Sequence, residues 1–507
     1  MDEIAVSGIP TVVIAAPSSG SGKTTVTTGL IGALRSAGHR VAPFKVGPDY
    51  IDPGYHAVAA GRVGRNLDPN LVGEDLIRPL FAHGSTGADI AVVEGVMGLF
   101  DGRIVDADPA AGGPDADPIG LGSTAHVARL LGAPVVLVVD AAGHSQSIAA
   151  LLHGFLSYES SVRIVGVILN RVGSPRHESV LRESCARVGL PVLGVLRRDP
   201  ALTVPSRHLG LIPAAERSTD AIRAVDAMTA TVGGVLDLDA IVAAARGRRH
   251  PDGPAWSAAD AVGEPVETVG ATAGSVQDGE PLVAVAGGAA FTFGYAEHVE
   301  LLTAAGATVV GFDPLTDRLP PDTGAVVIGG GFPEEHAAEL SANDRLRADI
   351  SAHAMGGRPI YAECAGLLYL TRELDGHQMT GVLPLVGRFG STLTLGYRDA
   401  VAVTGSVEFD VGTRATGHEF HRSTVEPAPS ASGGPTNPAW AWRDNAGRSG
   451  THGAVSEGVH ASYLHLHPAA HPGAILRLVR RAREVARGRV AGRASEPPVP
   501  SVDSTRR

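Results

Sequence analysis

Unbroken runs of β-branched and small apolar residues recur along the first half of the chain, each followed by a stretch with helix-like spacing. TVVIAA starts at Thr11, VAPFKV at Val41, DIAVVEG at Asp89, VVLVVDA at Val135 and IVGVILN at Ile164. A strand with one wet face alternates apolar and polar side chains. A run that does not alternate needs cover on both faces, as a parallel sheet receives from its helical crossovers. A second set of the same kind opens at Pro281 with PLVAVAG and continues through ATVVGFDP from Ala307, AVVIGGG from Ala325 and RPIYAECAG from Arg358. The pattern predicts an α/β protein with two parallel-sheet domains. The stretch from Glu216 to about Val242 reads as helical, whereas Gly247 to Glu280 is rich in Gly, Ala, Pro and Ser without sustained period and reads as a linker. The expected boundaries are residues 1–245 for the first domain, 246–280 for the linker, 281–480 for the second domain and 490–507 for a disordered tail. A further loop-like patch spans Pro427 to Trp440.

Length supports the division, because 507 residues exceed what one ordinary core organises. Charge narrows the partners: 42 basic against 53 acidic side chains leave a formal charge of −11, which argues against nucleic acid or an acidic membrane surface. An anionic small molecule remains compatible, since a basic pocket can sit in an acidic protein. The two cysteines, Cys185 and Cys364, make no disulfide framework, and a reducing cytoplasm is the expected setting. The N-terminal MDEIAVSGIPTVVIAAP is acidic where a signal peptide is basic, and no apolar run approaches the length of a membrane span.

Candidate chemistry gathers at the ends of the predicted strands. AAPSSGSGKTT, Ala15 to Thr25, lies between an apolar strand and a helix-like run, the context in which a glycine-rich loop and a helix N-terminus cradle phosphates. Gly20 and Gly22 shape the turn, Lys23 is suited to the β- and γ-phosphates, and Thr24 to Mg²⁺, with Thr25 next in line. The strict pattern has Gly where this chain has Pro17, so the loop is a variant. Glu94 ends another strand, as an acid that holds Mg²⁺ directly or through water does, and Asp101 follows it. Lys45, Asp49 and Asp52 sit in a Pro/Gly-shaped loop beyond the second strand. In an open sheet of this kind ligands bind beyond the carboxyl ends of the strands, so these loops are expected to converge.

In the second half, Cys364 stands between an apolar strand and a helix-like run in IYAECAGLLYL. That is the context of a nucleophile elbow, where a helix start favours the thiolate and supplies N–H groups to an oxyanion. The glycine-rich AVVIGGGFPE offers a second donor. The base is sought in GVHASYLHLHP, where alternation puts Tyr463, His465 and His467 on one face of a short strand. His465 is then the base for Cys364, and His467 orients it or packs behind it. The competing reading is a metal site from His460, His465, His467 and His471. Cys185, in LRESCARVGL, reads as a buried hydrophobe; the pair His418 and His421 is structural or lines the cleft.

The motifs APSSGSGKTT, FKVGPDYIDPGYH, VVEGVMGLFDG, VILNRVG, PSRHLGL, IGGGFPE, YAECAGLLYL, GHEFHRS and ASYLHLH run from Ala16 to His467. Together they closely resemble the cobyrinic or hydrogenobyrinic acid a,c-diamide synthase family of cobalamin biosynthesis. The resemblance implies a dethiobiotin-synthetase-like P-loop domain followed by a class I-like glutamine amidotransferase domain. It implies a glutamine-hydrolysing ligase that uses ATP and Mg²⁺ to amidate two carboxylates of a corrinoid acid through acyl phosphates, with a homodimer left open. By motif position it makes Cys364 the nucleophile and His465 its base, and gives Lys23, Thr24 and Glu94 to nucleotide and Mg²⁺. It gives Asp49 to substrate and catalysis, and Asn170 to the adenine. Where related glutaminases carry a triad carboxylate this chain has His467, so a Cys–His dyad is expected. A corrinoid acid is polyanionic, which predicts a basic pocket built from Lys45 and arginines such as Arg65 or Arg207. The rival readings are another tetrapyrrole amidating enzyme of the cobyric acid synthase type, and a P-loop switch ATPase with an inactive glutaminase-like domain.

Overall fold

A computed structural model describes residues 8–104, 118–198, 206–207, 210–211, 218–246, 253–263, 280–428, 436–443 and 447–494. The chain divides into two compact units. One comprises residues 1–261 with 292–296 and 416–418; the other comprises 262–291, 297–415 and 419–507.

In the first unit the apolar runs form β1 (Thr11–Ala15), β2 (Val41–Val46), β4 (Ile90–Glu94), β5 (Val135–Asp140) and β6 (Ile164–Val172). Two strands without such a run join them, β3 (Arg65–Leu67) and β7 (Val192–Arg197). Their order is β3-β2-β4-β1-β5-β6-β7, and the pairs run parallel. Strands β1, β2 and β4 are buried along their whole length, which is why their sequences do not alternate. β1 is central: the chain leaves it for β2 on one side, while β5 lies on the other. This switch in direction opens a crevice beyond the carboxyl ends of β1, β2 and β4.

The helical stretch after the sheet resolves into Ser218–Gly233 and Leu238–Ala245. Part of the expected linker packs on the first unit. Trp256 is 6% exposed, its backbone N–H donates to the Pro79 carbonyl at 2.9 Å, and its ring meets His83 edge-on before the short helix Ala258–Val262. Burial of one large aromatic outweighs a composition that looks loop-like. The linker positions 247–252 and 264–279 lie outside the described residues, as do Pro205, His208 and Leu209 of PSRHLGL and the side chain of Arg207.

The second unit contains a sheet in the order Thr308–Phe312, Leu282–Ala286, Thr323–Ile328, Ile360–Glu363, Val459–Ser462, Ala454–Ser456. Its first five strands are parallel and the last is antiparallel. A second sheet, unforeseen from sequence, is built on the long strands Leu385–Ala402 and Arg414–Pro427, with Trp440–Arg443 and Ser449–His452. The last helix, Pro472–Ala494, extends into the expected tail; residues 495–507 lie outside the described residues. No helix among the described residues is long and apolar enough to cross a membrane.

Candidate active sites

The loop after β1 leads directly into α1 (Lys23–Ser36). Gly22 caps that helix with φ 94°, and a Cβ there would lie 2.3 Å from Asn170 Nδ2, so both backbone and space demand glycine. The first turn of α1 carries no acidic residue, which leaves its N–H groups and positive dipole end unopposed for an anion. Lys23 folds over the loop, its Nζ 2.6 Å from the Met97 carbonyl. Burial and the charge of Lys45 lower its pKa to about 8. Asn170, expected at the adenine, here braces the loop: Nδ2 donates to the Ser21 carbonyl at 2.9 Å, and Oδ1 accepts the Arg171 N–H. Thr25 follows in the first turn of α1, and Gly20 has φ 76°.

Thr24 faces two carboxylates, its Oγ1 2.7 Å from Glu94 Oε1 and 3.2 Å from Asp52 Oδ2. Lys45 lies opposite Glu94 in the β2–β4 register, and its Nζ completes the cluster at 2.6 Å from Asp52, 3.0 Å from Glu94 and 3.9 Å from Asp49. His56 Nε2 sits 2.6 Å from the other oxygen of Glu94, both side chains fully enclosed. Burial alone would raise Glu94, but Lys45 and His56 hold it well below the usual carboxylate range. Asp52, buried and beside Asp49, rises to about 7 in spite of Lys45. Burial works to lower Lys45, and its three carboxylate neighbours outweigh that and keep it charged. Lys45 is therefore occupied by carboxylates and closed to an anionic substrate, contrary to the basic pocket expected. Arg65 stands at the opening of β3, its stem against the Gly84 position that Phe44 also borders.

Asp49 directs Oδ1 to the N–H groups of Ile51 and Asp52, fixing the entry to α2 (Asp52–Ala60), and turns Oδ2 toward Lys45. Asp101 accepts the Gly98 N–H within its own turn. A hydroxyl with two carboxylates, all oxygen, fits Mg²⁺, which takes one or two protein carboxylates and fills its octahedron with phosphate oxygens and water. Among the described residues, no group of three or more His, Cys, Asp or Glu forms a metal cage, so the histidine metal site finds no support.

The second site is built where Ile360–Glu363 pairs with Val459–Ser462, Glu363 opposite Ser462. The Cys364 N–H extends that ladder to the Ser462 carbonyl at 2.7 Å. Cys364 then takes φ 49° and ψ −100°, a strained conformation, and the helix Ala365–Leu370 starts at once. Gly366 donates to the Gly329 carbonyl at 3.1 Å; a Cβ on it would lie 2.3 Å from the Ile328 carbonyl oxygen. Glycine is what lets the elbow sit against the Gly329–Gly331 loop.

The thiol is 3% exposed and faces the Phe420 carbonyl at 3.8 Å. Burial, with Glu334, Glu363 and Glu419 nearby, pushes its pKa well above the ordinary value, and the Ala365 N–H only partly offsets this. The expectation of a thiolate stabilised by the helix start is thus reversed: the resting sulfur is a neutral thiol.

His465 is fully buried, with Nδ1 3.6 Å from Glu363 Oε2. The expected single strand face does not exist, because the strand ends at Ser462. Tyr463 stacks on His421 at 3.7 Å and donates to Ser423 Oγ. His467 Nδ1 accepts the Ala469 N–H, capping the Pro468–Ala470 turn. His460 receives the Trp440 indole N–H at 3.2 Å, and burial lowers its pKa to about 4, as for a core histidine. Cys185 is buried in the helix Pro175–Arg187, its pKa raised to about 11 by burial.

Sequence reasoning missed Glu363, whose adjacency to Cys364 is no signal in itself. It also missed His56 and the buried pair Arg398–Glu419, 2.7 Å apart on the two long strands beside the elbow.

Comparison with known proteins agrees with this division of labour. Residues 12–212 match a CobQ/CobB/MinD/ParA nucleotide binding domain, and residues 282–473 a CobB/CobQ-like glutamine amidotransferase domain. A hydrogenobyrinate a,c-diamide synthase of Mycobacterium tuberculosis is 58% identical over 472 residues, covering 93% of this chain and 97% of that protein. One from Streptomyces coelicolor is 56% identical over 496 residues, covering 94% and 98%. A cobyrinate a,c-diamide synthase of Gloeobacter violaceus is 41% identical over 481 residues, covering 94% and 97%. With both domains matched in order and the relatives spanned almost end to end, the chain belongs to the hydrogenobyrinate and cobyrinate a,c-diamide synthase family.

Proposed function

We propose that this chain converts the a and c carboxylates of hydrogenobyrinic acid, or of its cobalt-containing counterpart cobyrinic acid, to amides, using ATP and glutamine. The metal-free acid is favoured because the relatives at 58% and 56% identity carry the hydrogenobyrinate name and the one at 41% the cobyrinate name. The observation that carries the reading is a strained cysteine elbow with a buried histidine in a chain whose other unit holds a phosphate loop facing carboxylates.

A carboxylate resists attack by ammonia, so it must first gain a leaving group. A substrate carboxylate oxygen attacks the γ-phosphorus of ATP, ADP departs, and ammonia then displaces phosphate from the acyl phosphate. Gly20, Gly22 and the N–H groups at the start of α1, Thr25 among them, hold the phosphates; Lys23 swings from Met97 to the transferring group, and Asn170 borders the adenine. Thr24 and Glu94, with Asp52, would hold Mg²⁺, which neutralises phosphate charge when bound. Asp49 is assigned to the acceptor side of the reaction.

At the other site Cys364 Sγ attacks the glutamine carboxamide carbon as His465 takes the thiol proton and returns it to the departing ammonia. Water then hydrolyses the thioester to glutamate. N–H groups of the elbow and of the Gly329–Gly331 loop serve the oxyanion.

The test offers each acid in turn with ATP, Mg²⁺ and either glutamine or ammonium, and follows product mass. Cys364→Ser is expected to lose glutamine-driven amidation and keep the ammonium-driven reaction. Amidation that still runs on glutamine in this variant would refute the assignment.

A further inference from the structure

His465 comes from a chain segment that follows its strand rather than belonging to it, so something must hold the ring. His467, where related glutaminases carry a triad carboxylate, caps the next turn instead. The carboxylate that does face the imidazole belongs to Glu363, the residue before the nucleophile. Its Oε2 lies 3.6 Å from His465 Nδ1, while its Oε1 accepts the Tyr361 hydroxyl at 2.6 Å and the Leu466 N–H at 3.2 Å. Those two bonds fix the carboxylate in place, and the second ties it to the backbone next to His465. Glu363 also stays ionised. Burial works against this, but His465, the Tyr361 hydroxyl and His298 bring its pKa below the usual value.

We propose that Glu363 is the positioning residue of the glutaminase site, holding His465 with its proton on Nδ1 so that Nε2 is the nitrogen offered to the thiol. The site is then a triad whose third member precedes the cysteine in sequence and is not supplied by the segment after the histidine. Pairing with Ser462 brings Glu363 level with that segment, so one strand pair delivers both nucleophile and orienting carboxylate. The inference rests on the proposed roles of Cys364 as nucleophile and His465 as base.

In a serine protease, loss of the corresponding carboxylate costs about 10⁴ in kcat. A thiol needs less help than a hydroxyl, so the loss expected for Glu363→Gln in the full-length chain is roughly 10²-fold in glutaminase kcat, with glutamine KM unchanged within about twofold. Ammonium-driven amidation should stay at the wild-type rate. Glu363→Asp should recover part of the loss, and Tyr361→Phe should cost little. In ¹⁵N-histidine-labelled protein the His465 Nδ1–H signal, identified by its absence in His465→Asn, should vanish in Glu363→Gln.

Retention of kcat within about threefold, or an unchanged Nδ1–H signal, would overturn the proposal. So would equal loss of the glutamine and ammonium reactions, because Glu363 would then be supporting the fold through Tyr361 and Leu466. Glutaminase activity surviving in Cys364→Ser would instead sink the underlying roles, whatever Glu363→Gln does.

Discussion

Replacing Lys45 with Met tests whether the acid cluster at the phosphate site is held together by charge. Lys45 is 3% exposed, so Met can fill much of the volume of its stem while removing the ammonium. What remains is Glu94, fully buried, still facing His56 at 2.6 Å but beside Asp52, with Thr24 able to donate to only one carboxylate at a time. An ion contact near 4 Å is worth about 4 kcal/mol at the effective dielectric of a protein site, most of it offset by desolvation. Removing one partner forfeits the attraction but leaves the desolvation, and such losses run to about 3–5 kcal/mol.

Hydrogen exchange at β2 and β4 reads this locally. At about 1.4 kcal/mol per decade, protection at pH 8 should fall by roughly 10²-fold to several 10³-fold. The sign with pH follows from the protons. In wild type the depressed Glu94 contributes stability above its unfolded value, and the raised Lys45 contributes below its own. Without Lys45 both carboxylates shift upward, the folded variant takes up protons, and its deficit shrinks as pH falls from 8 to 5. Mg²⁺ with ATP should narrow the deficit as well. Less than a tenfold loss at pH 8 would refute the electrostatic argument. An equal loss at both pH values would show that packing of the lysine stem, not its charge, is what matters.

Gly22→Ala forces a left-handed backbone at about 1–2 kcal/mol and drives a methyl into the Asn170 amide, so ATP affinity by calorimetry should drop about tenfold or more. Glu408, 2% exposed, has its pKa raised to about 7 by burial, so the folded state binds its proton more tightly than the unfolded state. That contribution is present below about pH 4.5 and lost as pH rises through about 7. Glu408→Gln should therefore raise resistance to urea at pH 8 by up to about 3 kcal/mol and change little at pH 4.5; no gain at pH 8 would contradict the burial argument.

Most strands that could be read directly are buried on both faces, because their runs need no partner to be recognised; Thr308–Phe312 was readable from its apolar composition although only Phe312 in it is buried. β3 was missed at three residues, two of them polar, and β7 because Gly194 breaks its run. The strand Leu385–Ala402 escaped for the opposite reason: much of it is exposed and written in Gly, Ser, Thr and Arg, so no apolar period marks it. The phosphate loop was legible because its chemistry is local, contained within Ala15 to Thr25. The Lys45–Glu94 contact was not, since it depends on β2 lying next to β4, which sequence order does not state. Glu363 and His465 are likewise neighbours only through a parallel pairing whose register must be seen.

The two sites share a physical logic that their sequences do not share. At the phosphate site the carboxylates that would hold a divalent cation carry their own counter-ion, so the cluster is stable before any metal arrives. At the elbow the helix start favours a thiolate, yet burial and three carboxylates win, and the sulfur stays protonated. A permanently ionised thiol would need no base; with the proposed roles of Cys364 and His465, a neutral one reacts only when His465 takes the proton as the carbonyl is attacked. Reactivity is therefore withheld from the resting protein and appears with the substrate. For a catalyst that consumes glutamine, a thiol that stays neutral at rest limits hydrolysis without product.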